Sequence, residues 1–290
     1  MLRPPPVPRM SRPVQRRPRP AKHMTLAIGL MARHGLVIAA DRQLTIGDSK
    51  VHHGKIQAET RYGDENSGAG GCVVTGAGQP DTYLFECIRK VRAGFFQEPD
   101  LKGQDLRDHL SNVLVNFFAT HVAPFATYPV EDRPNLLILV GYQRGTETDL
   151  LRSDGTVFTT ARPYGAVGIG NSHAYASLGR MYRLPALDLW QTVLLGAYVM
   201  HAAREANIFV GYADICVQTN YRHHLLSPDE TKRLDRLMES YGKSIEASTF
   251  RATLGAANES EIDLAGMHER FTEALSDLSE RCPIALRFGG

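Results

Sequence analysis

Long apolar runs are missing from this chain of 290 residues. None approaches the roughly 20 residues that a membrane-spanning helix needs, so no span is read. Cysteine is scarce, and Cys72, Cys87, Cys216 and Cys282 form no CxxC pair and show no partnered histidine spacing. That argues against a zinc site or a disulfide framework and for inert, mostly buried thiols in a reducing cytoplasm. His52-His53 and His223-His224 lack a third ligand at readable spacing. Gly168-Ile169-Gly170-Asn171 lacks the third glycine and the later acid of a dinucleotide fingerprint, and no Gly-x-Ser-x-Gly occurs. Acids are absent from the first 24 positions, which hold seven Lys/Arg and seven Pro. With almost nothing to bury, residues 1–24 read as a disordered Pro/Arg-rich leader or an upstream mis-start. Met24 is the preferred start and Met10 another. Removing those seven cations from the net +2 leaves −5 for residues 25–290, so the body has no broad electrostatic reason to bind nucleic acid.

What is present begins at Thr25. Thr25–Ala32 and Leu36–Ala40 are apolar runs split by Arg33-His34-Gly35, which predicts a hairpin ending at Asp41, with Gly35 available for positive φ. Lys50–Ile56 and Cys72–Thr75 are expected as strands, the second closing in Gly76-Ala77-Gly78-Gln79-Pro80-Asp81. Leu84, Phe85, Ile88, Val91 and Phe95 recur at helical spacing after Asp81. A second helix from about Gln104 carries Leu106, Leu110, Leu114 and Phe117, and Pro124 and Pro129 stop it. Asn135–Tyr142 reads as a buried central strand, and Asp149–Arg152 with Thr156–Thr160 as a hairpin around Asp154-Gly155. Ala166–Ser172 is a strand entering a glycine turn, followed by a helix to Tyr182, a long helix over Leu187–Ala206 and a strand over Ala213–Thr219.

Ser227-Pro228-Asp229-Glu230 is a capping box opening a helix that Gly242 should end. Residues 244–258 read as a polar linker. Leu264, Met267, Phe271, Leu275 and Leu278 then form an amphipathic stripe, a helix docked on the core or, alternatively, on a partner. The expected organisation is a leader over 1–24, one domain over 25–243 and an extension over 244–290. Strand groups alternating with helix pairs suit a stacked pair of sheets flanked by helices, not a doubly wound sheet.

The chemistry centres on Thr25. A threonine hydroxyl is a poor nucleophile unless its proton is removed, and a free α-amine, with a pKa of about 7.7–8.0, is poised to remove it. A cation at Lys55 would lower the amine's pKa further and steady the alkoxide, and Asp41 would hold Lys55 charged and oriented.

The run from Thr25 to Leu30, then His34-Gly35 to Asp41-Arg42, Thr45-Ile46-Gly47-Asp48 and Gly54-Lys55-Ile56, resembles the opening of proteasome β-subunits and of bacterial proteasome-related threonine peptidases. The segment Gly76–Glu86 is similar to that family's loop into its first helix, and Ala166–Asn171 to its second glycine loop. Together the similar stretches run from Thr25 to Thr219. The resemblance implies an α+β fold, the four-layer αββα sandwich of N-terminal-nucleophile hydrolases. It assigns catalysis to Thr25, Asp41 and Lys55, a backbone oxyanion donor to Ala77 where glycine is usual, and the substrate pocket to Thr45, Thr75 and Gln79. Ile169 stands where a serine is usual, and Asn207 and Val210 where most members carry an acid and a serine that support the terminal amine. Some ancestral-type bacterial branches depart there too.

The activity implied is a threonine-type endopeptidase without cofactor or metal. It would act on peptides or unfolded proteins inside a homo-oligomeric ring, with an ATP-dependent unfoldase as the partner that would feed it. Two alternatives share the fold: a non-catalytic structural subunit, and an N-terminal-nucleophile amidase of a small molecule.

Overall fold

The computed structural model describes residues 25–46, 49–61, 70–129, 133–182, 187–207, 210–219 and 222–253, without the side chains of 44–51 and 241–253. The leader over 1–24, the stripe from Leu264 to Leu278 and Cys282 lie outside the described residues.

Strand β1 (Leu26–Ala32) and strand β2 (Gly35–Asp41) form the predicted hairpin, and every residue of β2 is buried. Successive side chains of a strand point to opposite faces, so a strand buried throughout must be covered on both. Val37 and Ala39 enter one apolar core with Leu26, Ile28 and Leu30 of β1, while Leu36, Ile38 and Ala40 enter another. The first core is closed by α3 (Asn171–Met181) and α4 (Leu189–Ala206), through residues such as Leu178, Val193 and Ala197. In the second core, Leu36 and Ile38 meet Val73, Leu139 and Leu150 of another sheet.

The first sheet has the order β10-β1-β2-β11-β12, with β10 Tyr164–Gly168, β11 Ala213–Thr219 and β12 Arg222–Leu225. The other runs β5-β6-β7-β8-β9, from β5 Gln57–Arg61 and β6 Gly70–Gln79 through the central β7 Asn135–Arg144 to β8 Glu147–Asp154 and β9 Val157–Thr160. Every pairing is antiparallel. On the second sheet's outer face, α1 (Asp81–Gln97) and α2 (Gly103–His121) seat Leu84, Ile88, Val91, Leu106 and Leu110 against Val74, Ile138 and Val140. A small ribbon pairs β3 (Gln43–Ile46) with β4 (Ser49–His52). A fifth helix, α5 (Pro228–Thr253), packs its Leu234 and Met238 into the α4 core. The described residues therefore form a mixed α/β fold of two antiparallel five-stranded sheets and five helices.

Glycine lets the sheets approach. A Cβ on Gly141 would lie 2.6 Å from a Leu36 methyl.

The structure departs from the sequence pattern in four places. Gly35 has no positive φ among the described residues; it is required because a Cβ there would sit 2.2 Å from the Gln218 carbonyl oxygen. The expected strand over Lys50–Ile56 stops at His52, and Lys55 lies on irregular chain, where three interactions of its own ammonium group hold it instead of a ladder. The strand expected to end at Thr75 continues to Gln79, because β7 offers partners along all ten residues. Gly242 does not end α5. Inside a helix glycine costs about 1 kcal/mol relative to alanine, and it stops the helix only where it takes a left-handed cap. Helix α5 thus crosses position 243 and enters the stretch read as a linker.

Candidate active site

Asp41 is the last residue of β2, and Thr25 immediately precedes β1, so the hairpin register brings the two ends together. Leu26 donates its N–H to Asp41 Oδ2 at 3.2 Å. Lys55 then enters between them. Its Nζ donates to Asp41 Oδ1 at 2.6 Å, to the Gln43 carbonyl at 2.6 Å and to Thr25 Oγ1 at 3.2 Å. An ammonium has three protons, and all three have an acceptor. All three side chains are buried, Lys55 and Asp41 at 0% exposure and Thr25 at 3%. The cation therefore acts in a medium where charge is weakly screened.

Burial raises the Asp41 carboxyl to about 6 from its ordinary 3.8. The adjacent Lys55 charge and hydrogen bond, then the N–H groups of Leu26 and Gly211, pull in the other direction and do not overcome it.

A second glycine turn closes the other side of Thr25. Gly168 pairs with Leu26 and has φ +102°, and a Cβ there would lie 1.8 Å from the Thr25 carbonyl oxygen. That same Cβ would be 2.9 Å from the Ala77 methyl, so Ala77 of β6 packs beside the Gly168 turn. Beyond Val74 no described strand pairs with β6 on the β5 side, since β5 begins only at Gln57, opposite Val74. Thr75, Ala77 and Gln79 lie on this one-sided stretch. Thr75 is fully buried, and its hydroxyl has no partner among the described residues.

The remaining residues singled out in the sequence stand elsewhere. Thr45 belongs to β3, with its side chain outside the described set. Ile169 touches Thr25 through its backbone, donating its N–H to the Thr25 carbonyl at 3.0 Å, while its side chain is exposed. Val210 is buried in the α4 core, and Asn207 caps the end of α4 and accepts the Val210 N–H at 3.0 Å. The hydrocarbon side chains of Ile169 and Val210 have no polar atom with which to support an amine. His223 contacts Thr60 Oγ1 at 2.9 Å, and among the described residues no group of three metal-ligating side chains is found. Cys72, Cys87 and Cys216 are buried free thiols; burial pushes Cys87 and Cys216 up to about 12. No described helix is long and apolar enough to cross a membrane.

Sequence reasoning missed the Gln43 carbonyl and the Gly211 N–H. The nearest signal was Gly211 itself, where a Cβ would lie 2.7 Å from the Gln43 Cβ.

The chain matches no model of a known protein family, and a search of curated proteins likewise returns no match. Solved structures do resemble it. An Anbu (Gly-1) mutant from Hyphomicrobium sp. strain MC1 superposes with TM-score 0.62 at 16% identity, over 78% of this chain and 97% of that one. Anbu (ancestral beta-subunit) from Yersinia bercovieri gives 0.60 at 14%, over 78% and 97%. The Anbu complex of Pseudomonas aeruginosa, solved as a helical assembly, gives 0.58 at 16%, over 78% and 96%. At these identities the likeness shows the fold alone.

The neighbours correct the family expected from the sequence. They are Anbu proteins, one of them described as an ancestral beta-subunit, and not catalytic proteasome β-subunits. The motif misled for a physical reason. A hairpin that joins residue 25 to residue 41, with a lysine on the next segment, follows from how the sheet is built, and so reports the fold and not the branch.

Proposed function

We propose that this chain assembles into a homo-oligomer on a four-layer αββα sandwich, and that Thr25 is its nucleophile for amide-bond hydrolysis. The observation that carries the proposal is the 3.2 Å approach of Lys55 Nζ to Thr25 Oγ1, with the same ammonium bound to Asp41. A lysine held in that position lowers the energy of an alkoxide at Oγ1. Assembly is supported by the Anbu complex solved as a helical assembly.

In this reading the unit carrying the site spans residues 25–243. The Thr25 α-amine takes the hydroxyl proton through a water, and Oγ1 attacks the amide carbonyl. A backbone N–H on the one-sided stretch of β6 near Ala77 receives the oxyanion. The amine leaves with the transferred proton, and water cleaves the resulting ester. The scheme makes one demand. While residues 1–24 remain attached, the Thr25 nitrogen is an amide and has no basicity to offer, so the site stays silent until Thr25 is the first residue.

The test compares purified chain beginning at Thr25 with the full-length chain and with the Thr25→Ala form of the shorter one, on fluorogenic peptide amides and small acyl amides. Hydrolysis by the shortened chain alone supports the reading, and preference between the two substrates separates a peptidase from a small-molecule amidase. A folded, oligomeric chain with a free Thr25 that cleaves neither substrate rejects it. A non-catalytic scaffold then remains, which the apolar Ile169 and Val210 favour. Electron microscopy of the same sample separates closed rings from open helices.

A further inference from the structure

One residue past Asp41 the chain borders a second feature. Among β11, α4 and α5 lies a cavity of about 530 Å³, with Arg42, Tyr212, Arg204, Lys232 and Arg236 in its lining. Cavities of about 300–1,000 Å³ are the size that holds small ligands.

The charges in this lining do not balance. Four Arg/Lys side chains face it against two carboxylates, Asp235 and Glu239. Arg204 is committed to Asp235, with Nη1 2.7 Å from Oδ1. Arg42 Nε lies 3.3 Å from Asp214 Oδ1, yet it is buried without a hydrogen-bond acceptor among the described residues. Lys232 and Arg236 are exposed one turn apart on α5, and neither makes an ion pair or hydrogen bond among the described residues. Asp235 and Glu239, each three residues on from one of them, offset part of this charge, and the lining as a whole keeps an excess of two cations. Arginine forks and lysine point charges are the groups that bind phosphate oxygens. At the rim, Tyr212 is 54% exposed, and the Arg204 guanidinium lies 4.6 Å from its ring centroid. An aromatic side chain and an arginine so placed offer a flat surface to a planar ring.

We propose that this cavity binds a phosphomonoester that also bears a planar ring, a ligand of mononucleotide type. The phosphate lies among Arg42, Lys232 and Arg236, and the ring rests on Tyr212. The site is wired to Asp41 through short backbone links. Gly211 lines the cavity and donates its N–H to the Asp41 carboxylate, and the Tyr212 carbonyl accepts the Arg42 N–H at 2.7 Å. A ligand gripping Arg42 and Tyr212 therefore bears on the segment that holds Asp41. The inference goes beyond the hydrolase reading and does not need it, because its test reads binding alone.

The test is calorimetric titration of the full-length chain with AMP, adenosine and inorganic phosphate. AMP is expected to bind saturably, and more tightly than either fragment. The K232Q/R236Q double variant, altered only at exposed positions, should weaken AMP by about tenfold or more, a difference of about 1.4 kcal/mol. Lys232→Arg should retain binding, and Tyr212→Ala should weaken AMP while leaving phosphate unchanged. Absence of saturable AMP binding overturns the proposal. So does AMP binding that is undiminished in the double variant, or adenosine binding as tight as AMP, since either removes the phosphate from the cations named here.

Discussion

Among the described residues two Lys/Arg side chains are buried, and they do different work. Lys55 and Arg144 are exposed by 0% and 2%. Arg144 gives its Nη atoms to the carbonyls of Glu98 and Leu101, at 2.8 and 2.5 Å, and to that of Phe95. Its guanidinium also lies 4.0 Å from the Phe95 ring centroid. These acceptors are at and just past the end of α1, where helix carbonyls lose their intrahelical partners. Arg144 thus serves as the missing cap of a helix. Lys55 also has three acceptors, but one is a carboxylate and one is a hydroxyl. A buried charge alone does not mark an active site; an acceptor that can itself react does.

The strongest way to break this comparison is Lys55→Met. It should abolish any hydrolysis by the chain freed at Thr25, and it leaves Asp41 buried without its counter-ion. A loss of about 3–5 kcal/mol in urea unfolding is expected. Arg144→Met should cost less, about 1–3 kcal/mol, by orphaning carbonyls at the end of α1. Turnover per folded molecule should not change. Equal damage to turnover from both substitutions would erase the distinction between the two cations.

Gly168→Ala comes next. Its Cβ would collide with the Thr25 carbonyl at 1.8 Å, and the φ of +102° is one that alanine resists. About 1–3 kcal/mol of destabilisation is expected, with lower activity because Thr25 itself must shift. Intact activity in this variant would show that the second glycine turn does not position the nucleophile.

The acid limb sharpens the contrast, since Arg144 contributes no comparable transition. Asp41 has a folded pKa of about 6, above its ordinary 3.8. The folded state therefore holds this proton more tightly than the unfolded chain. The stabilising contribution of the protonated carboxyl is complete below 3.8 and is lost as pH rises through about 6. Activity should run the opposite way, falling below pH about 6 as Lys55 loses its anionic anchor. A pH–rate profile of the freed chain checks this, and Asp41→Asn should remove the limb along with most of the activity. The smallest effect is expected in α5. Gly242→Ala within α5 should stabilise by about 0.5–1 kcal/mol in the same unfolding assay.

Much of the fold was legible because its signals are local. The Arg33-His34-Gly35 break between apolar runs marked the β1–β2 hairpin, and the Ser227–Glu230 box is present, with the Glu230 N–H 3.3 Å from Ser227 Oγ. Where the sequence misread, distant partners had decided. β6 extends to Gln79 because β7 lies beside it, and Gly35 answers to the Gln218 carbonyl far along the chain.

The same division holds at the site. By itself the sequence determined that Thr25 and Asp41 would meet at the ends of one hairpin, because spacing along two paired strands is a local matter. Only tertiary structure decided that Lys55 would take Gln43's carbonyl as a third acceptor, that Gly211 would steady Asp41, and that Gly168 would close on Thr25. Burial of the carboxylate sums contributions from segments far apart in the chain. No spacing within one hairpin encodes that sum.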